Sequence, residues 1–227
     1  MSLRAEKINK QYNRSNGKGN HFYAVGDTNL SLEKGMLTTL IGRSGSGKTT
    51  LLNMLAGLLH PTEGKVFLGD TDIYALDDPK LAMLRNSSIG VIPQGRAVLD
   101  TLTVMENLLL PSRLYQKKEN EEMKKQAKLL LDELGIGNLA DVYPDELSGG
   151  EVRRVSIART LLLKPDVILA DEPTGDLDDA NTKLVLEMFR KTADSGVAVL
   201  LVTHELTALE YADNVYTMDA GILKQGR

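Results

Sequence analysis

The segment MLTTLI at Met36–Ile41 runs directly into GRSGSGKT at Gly42–Thr49 and then into TLLNMLAGLL at Thr50–Leu59. An apolar, β-branched run, a glycine-rich loop and an apolar helical run follow one another without a break. That order matches the strand–loop–helix context required by the phosphate-loop pattern G-x-x-x-x-G-K-[ST]. Glycines let successive backbone N–H groups converge on phosphate oxygens, and the helix start adds the positive end of its dipole. Arg43, Ser44, Gly45, Ser46, Gly47, Lys48, Thr49 and Thr50 are therefore candidate phosphate contacts. Lys48 is placed to reach the β- and γ-phosphates of ATP or GTP, and the Thr49 hydroxyl to ligate Mg²⁺. The competing reading is a glycine- and serine-rich turn that matches by chance.

A second apolar run, DVILA at Asp166–Ala170, ends in the acids Asp171 and Glu172. Ligands gather at the carboxyl ends of parallel strands, where a phosphate loop also opens. Asp171 is expected to hold Mg²⁺ and Glu172 to orient or deprotonate the attacking water. The alternative is a pair of acids at the start of the following helix, an end that favours negative charge.

The rest of the chain fits an α/β domain. Strands are expected at Leu3–Tyr12, Phe22–Leu32, Val66–Leu68, Ser88–Ile92, Val197–Val202 and Val215–Met218, with a Gly/Asn-rich turn at Asn13–Asn20. Helices are expected at Lys48–Leu59, within Thr103–Leu134, at Gly149–Leu163 and at Asn181–Thr192. Continuous apolar runs such as Val197–Val202 indicate strands buried on both faces, as in a parallel sheet covered by helices. The pairs Lys117-Lys118 and Lys124-Lys125 lie among Glu119, Glu121 and Glu122, the pattern of a solvated helix face.

With 227 residues and no linker or repeat, one domain with a sizeable core is expected. A net charge of −4 points away from nucleic acid as a partner. The absence of cysteine excludes disulfides and thiolate metal sites. No run approaches the ~18 apolar residues needed to span a bilayer, and the N-terminus is too polar for a signal peptide. A cytoplasmic protein is expected, with any membrane-spanning part on another polypeptide.

LSGGE at Leu147–Glu151, followed by the helical VRRVSIARTLLL and then the Asp171-Glu172 strand, resembles the signature region of the ATP-binding cassette (ABC) ATPases. Gln94 matches that family's Q-loop glutamine, TGDLD at Thr174–Asp178 its D-loop, and His204 its switch histidine. Tyr12 matches the aromatic residue that stacks on adenine, with Phe22 and Tyr23 as nearby alternatives. Locally, Ser148 and Glu151 also have the spacing of a capping box. Departures occur at Glu151, where glutamine is usual, at Pro93 and Gly95-Arg96 around Gln94, and at Asp176.

The resemblance implies a RecA-like P-loop NTPase core with an N-terminal antiparallel β subdomain. It also implies a helical signature subdomain at residues 95–163, between core segments 1–94 and 164–227. It implies an ATP hydrolase using ATP and Mg²⁺, with Gln94 as a further metal contact and Lys48, Gln94, Glu172 and His204 as the catalytic set. Two copies are expected to pack head to tail, so that Ser148, Gly149 and Gly150 serve the partner's γ-phosphate while Asp178 communicates across the interface. A transmembrane permease subunit is the expected further partner, which places the chain on the cytoplasmic face of the membrane. DEPTGDLDD and LTVMENLLLP at Leu102–Pro111 look most like the lipoprotein-releasing, macrolide-exporting, bacitracin-resistance and FtsE-like branch. An importer ATPase and a soluble non-transport ABC protein are the alternatives. An SMC-type head is disfavoured because the space between Gln94 and Ser148 holds no long coiled coil. A monomeric kinase or GTPase would leave LSGGE and His204 without a task.

Overall fold

A computed structural model describes residues 1–13, 21–114 and 121–226. Its elements in chain order begin with β1 (Leu3–Asn13), β2 (His21–Leu32), β3 (Leu37–Ile41), α1 (Lys48–Leu55), β4 (Glu63–Leu68) and β5 (Thr71–Asp72). They continue with α2 (Asp78–Ser88), β6 (Ile89–Ile92), α3 (Val104–Leu114), α4 (Glu121–Glu133), α5 (Gly149–Leu162) and β7 (Val167–Asp171). The chain closes with α6 (Asp179–Asp194), β8 (Ala198–Thr203), β9 (Asn214–Asp219) and β10 (Ile222–Gln225).

Two sheets organise these elements. The first has the order β2-β1-β4-β5 and is antiparallel throughout, as expected for an N-terminal β subdomain. The second has the order β10-β9-β3-β8-β7-β6. Its strands β9, β3, β8, β7 and β6 run parallel, and only β10 pairs antiparallel, with β9.

The parallel strands show why continuous apolar runs form them. All residues of β7 and of β8 are buried, and alternate positions serve opposite faces. Val167, Leu169, Ala198, Leu200 and Val202 join α1 and the antiparallel sheet in one apolar cluster. Ile168, Ala170, Val199 and Leu201 join α3, α4, α5 and α6 in the other. Period-two alternation thus works with apolar residues on both faces. Fully buried Phe189 of α6 sits in this second cluster, and burying a side chain of that size stabilises by roughly 1.5–3 kcal/mol.

Several expected boundaries shift. Helix α1 stops at Leu55 rather than Leu59, because Gly57 turns left-handed and Asn53 O accepts from the N–H groups of both Leu58 and Leu59. Within Thr103–Leu134 the described residues form the two helices α3 and α4. On α4, Lys124 pairs with Glu121 at 3.3 Å, consistent with a solvated face. The turn expected at Asn13–Asn20 lies outside the described residues beyond Asn13, as do Lys117, Lys118 and Glu119. Elements β5, α2 and β10 were not anticipated from the sequence.

Candidate nucleotide site

Strand register brings the site together. At the carboxyl ends of the parallel strands, Ile41 pairs with Thr203, Asp171 with Val202, and Ile92 with Ala170. The next residues along each strand are the glycine-rich loop, His204, Glu172 and, two residues on, Gln94. They open onto one cleft of about 890 Å³, which Arg43, Ser44, Gly45, Gly47, Lys48, Thr49, Thr50, Gln94, Asp171, Glu172 and His204 all line. Residues separated by more than 150 positions thus meet because neighbouring parallel strands end level.

The loop is held by close backbone packing. Gly47, at φ 108°, has no room for a side chain, since a Cβ there would lie 2.2 Å from Ala24 O of β2. A Cβ on Gly42 would lie 2.3 Å from Met218 O of β9. Gly47 also starts α1 without any side-chain cap, so the first-turn N–H groups stay available to an anion. Ser46 is buried, and its hydroxyl has no hydrogen-bond partner among the described residues. Lys48 Nζ donates to Gly42 O at 2.7 Å and Arg43 O at 3.0 Å, which folds the ammonium into the loop. An orphaned hydroxyl, an uncapped helix start and a buried ammonium together fit a phosphate group.

The acid pair flanks this loop. Thr49 Oγ1 donates to Asp171 Oδ2 at 2.7 Å. Burial pushes the Asp171 carboxyl above its ordinary pKa, and the Thr49 bond partly opposes that rise. The paired Thr49 hydroxyl and Asp171 carboxylate, with Gln94 lining the same cleft, offer oxygen donors of the kind that would hold Mg²⁺. Glu172 adopts a left-handed backbone at φ 49°, which for a residue with a Cβ costs roughly 1–3 kcal/mol. Its N–H donates to Val202 O at 2.7 Å, fixing the bend just past the strand end.

The bend sets the Glu172 carboxylate against His204, whose Nδ1 lies 3.0 and 2.9 Å from the two oxygens. That hydrogen bond and the carboxylate charge hold the imidazole above its usual pKa. Neither acid caps the following helix. That task falls to Asp178, whose Oδ1 accepts from Asn181 N at 2.8 Å.

Other expected residues sit elsewhere. Tyr12 is absent from the cleft lining; it pairs with Phe22 across β1 and β2 and stacks on that ring at 5.8 Å between centroids. Phe22 and Tyr23 line the cleft, together with Ala24 and the β9–β10 turn residues Ala220 and Gly221. That turn was not read from the sequence, and Asp219-Ala-Gly221 carried the only turn signal for it. Ser148 and Gly149 are exposed, Gly150 is half-buried, and none of the three lines the cleft. The expected capping box is formed: Ser148 Oγ accepts from Glu151 N, and Glu151 Oε2 accepts from Ser148 N at 2.8 Å. Asp178 is exposed at the start of α6.

Known proteins are similar to this chain in sequence and in fold. Residues 25–175 match the family described as ABC transporter. The lipoprotein-releasing system ATP-binding protein LolD of Aquifex aeolicus is 43% identical over 192 residues, covering 85% of each chain. The macrolide export ATP-binding/permease protein MacB of a Shewanella species is 39% identical over 197 residues, 87% of this chain but 30% of that protein. The dimeric structure of the ATP-binding cassette MJ0796 in a post-hydrolysis state, bound to ADP and Pi, superposes with a TM-score of 0.90. It is 30% identical and covers 99% of both chains. With its phosphate loop, acid pair and signature helix on that fold, the chain belongs to the ABC transporter family, as an ATP-binding and ATP-hydrolysing cassette.

Proposed function

We propose that the chain is the ATPase subunit of an export-type transporter, acting as a homodimer that holds two ATP molecules between opposed copies. The observation that carries this reading is the split of the phosphate machinery. One glycine-rich helix start lies in the cleft with the acids, and the other, largely exposed, does not line that cleft. Names of relatives support export, since LolD belongs to a lipoprotein-releasing system and MacB to macrolide export. The name of MacB, an ATP-binding/permease protein of which this chain matches 30%, supports a permease as partner, here read as a separate subunit with the dimer on the cytoplasmic face of the membrane. Among the described residues no helix is long and apolar enough to cross a membrane. Residues 95–163 act as the helical unit that presents the signature, and 1–94 with 164–227 as the nucleotide-binding core.

ATP phosphates occupy the α1 start, and Lys48 exchanges its two loop carbonyls for phosphate oxygens. Thr49 and Asp171, with Gln94 nearby, would hold Mg²⁺, which would supply charge neutralisation to the phosphates. Glu172 orients the attacking water and accepts its proton, and His204 turns from the Glu172 carboxylate to the γ-phosphate. Tyr12 supports the adenine through Phe22, against which it stacks. Ser148, Gly149 and Gly150 close over the partner's γ-phosphate, and Asp178 lies in the interface between copies. Binding of ATP favours the closed pair, and hydrolysis removes that preference.

Glu172→Gln tests this reading. Turnover is expected to fall about a hundredfold or more, with ATP affinity within about twofold of wild type. On size exclusion with ATP the variant should elute as a dimer; a monomer under those conditions counts against the proposal.

A further inference from the structure

Beside the nucleotide cleft lies a second cavity of about 190 Å³, and Gln94 lines both. On the far side of Gln94 stands Arg153, from the helix that begins at the signature. Only 9% of Arg153 is exposed, and its guanidinium donates to Pro93 O at 2.6 Å and to Gln94 O. Burial lowers the pKa of this guanidinium, and the carboxylates Asp176, Asp171 and Glu172 oppose that shift. The two nitrogens of one planar fork therefore grip two successive carbonyls, a contact that a lysine point charge cannot reproduce. Two residues further on, Arg96 returns the tie. Its Nη2 donates to Pro144 O, three residues before Leu147, and pairs with Asp100 at 2.9 Å.

The geometry points to Arg153 as a positioning residue for Gln94, with Arg96 as a second strap. Together they tie the Q-loop backbone to the signature segment of the same chain. A buried arginine whose guanidinium donates to two successive carbonyls of a loop fixes that loop's path. Gln94 faces the nucleotide through this loop, while Ser148–Gly150 sit on the other end of the same linkage. Arg153 and Arg96 thus hold the Gln94 backbone at a fixed place against the start of α5, an inference that rests on the site reading above.

The test uses the full-length protein with Arg153→Gln, Arg153→Lys and Arg96→Gln, each measured for ATP affinity, kcat, KM and melting temperature. Arg153→Gln is expected to lower kcat about tenfold, with KM and ATP affinity within about twofold of wild type. Arg153→Lys keeps the charge beside the acids and is expected to recover the melting temperature without recovering kcat. The exposed-side variant Arg96→Gln should lower kcat about threefold at unchanged melting temperature, which keeps the proposal testable if Arg153→Gln fails to fold. It is overturned if Arg153→Lys restores kcat in step with melting temperature, or if Arg96→Gln and the folded Arg153 variants keep wild-type kcat. Failure of the half-site reading has a different signature: Ser148→Arg would retain turnover while Arg153→Lys still lost it.

Discussion

Helices α1 and α5 both begin in glycine-rich segments, yet the two ends are built in opposite ways. The α1 start has no side-chain cap, is pinned by the backbones of β2 and β9, and opens into a cleft that holds a lysine and two acids. The α5 start is capped by its own Ser148 and Glu151, and Ser148 and Gly149 lie exposed. Ser148 bonding also holds the Glu151 carboxyl below its usual pKa. The first end leaves its N–H groups free for an anion within the chain's own cleft. The second has the N–H groups of Ser148 and Glu151 met by its own side chains and lies outside that cleft, which fits the proposed contact with a phosphate carried by another copy. The same motif chemistry thus separates a group that binds within the chain from one offered outward.

Substitutions at the two ends should separate accordingly. Lys48→Ala removes the one ammonium in the cleft and is expected to lower turnover about a thousandfold, with loss of ATP binding at micromolar concentrations. Retained binding of a fluorescent ATP analogue would break the contrast at its first term. Ser148→Ala removes a cap and is expected to cost about 1 kcal/mol, lowering the melting temperature by roughly 2–4 °C. ATP affinity should be unchanged in the same variant. A drop in affinity at concentrations where the protein stays monomeric would place the signature at its own chain's nucleotide.

The smallest effect concerns His204. Its pKa is raised in the folded protein, so its contribution to stability is complete below about 6.5 and is lost as pH rises through the folded value. Melting curves of nucleotide-free wild type and His204→Ala should therefore converge as pH is raised above neutrality. Parallel curves across that range would mean that the Glu172 contact adds nothing to stability.

Much of this site is legible in the sequence because each part is local. GRSGSGKT, the Asp171-Glu172 strand end, Gln94 and His204 each follow a buried strand, and parallel register does the rest. The two readings left open for the acids separate only in the structure, where Asp178 rather than either acid caps α6. The aromatic contact was less legible. Tyr12 and Phe22 are register partners on strands with several irregularities, so alternation alone does not say which ring faces the cleft.

Gly221 and Ala24 contribute through backbone, which leaves no side-chain signature in one sequence. Helix α2 was missed because Leu81 is its only fully buried residue, too little for an apolar period to show. Arg153 was hidden for the opposite reason: an Arg-Arg pair on a helix ordinarily faces solvent, and here both members are buried.

The central claim is that each chain's signature completes its partner's site, and mixing two inactive variants tests it most directly. Lys48→Ala disables the phosphate loop and Ser148→Arg the signature, so neither homodimer should hydrolyse ATP. In a mixed dimer one site pairs the intact loop of one chain with the intact signature of the other. The mixture is expected to recover up to about a quarter of wild-type turnover, since half of random dimers are mixed and each has one intact site. A mixture no more active than the sum of its two components would contradict the account.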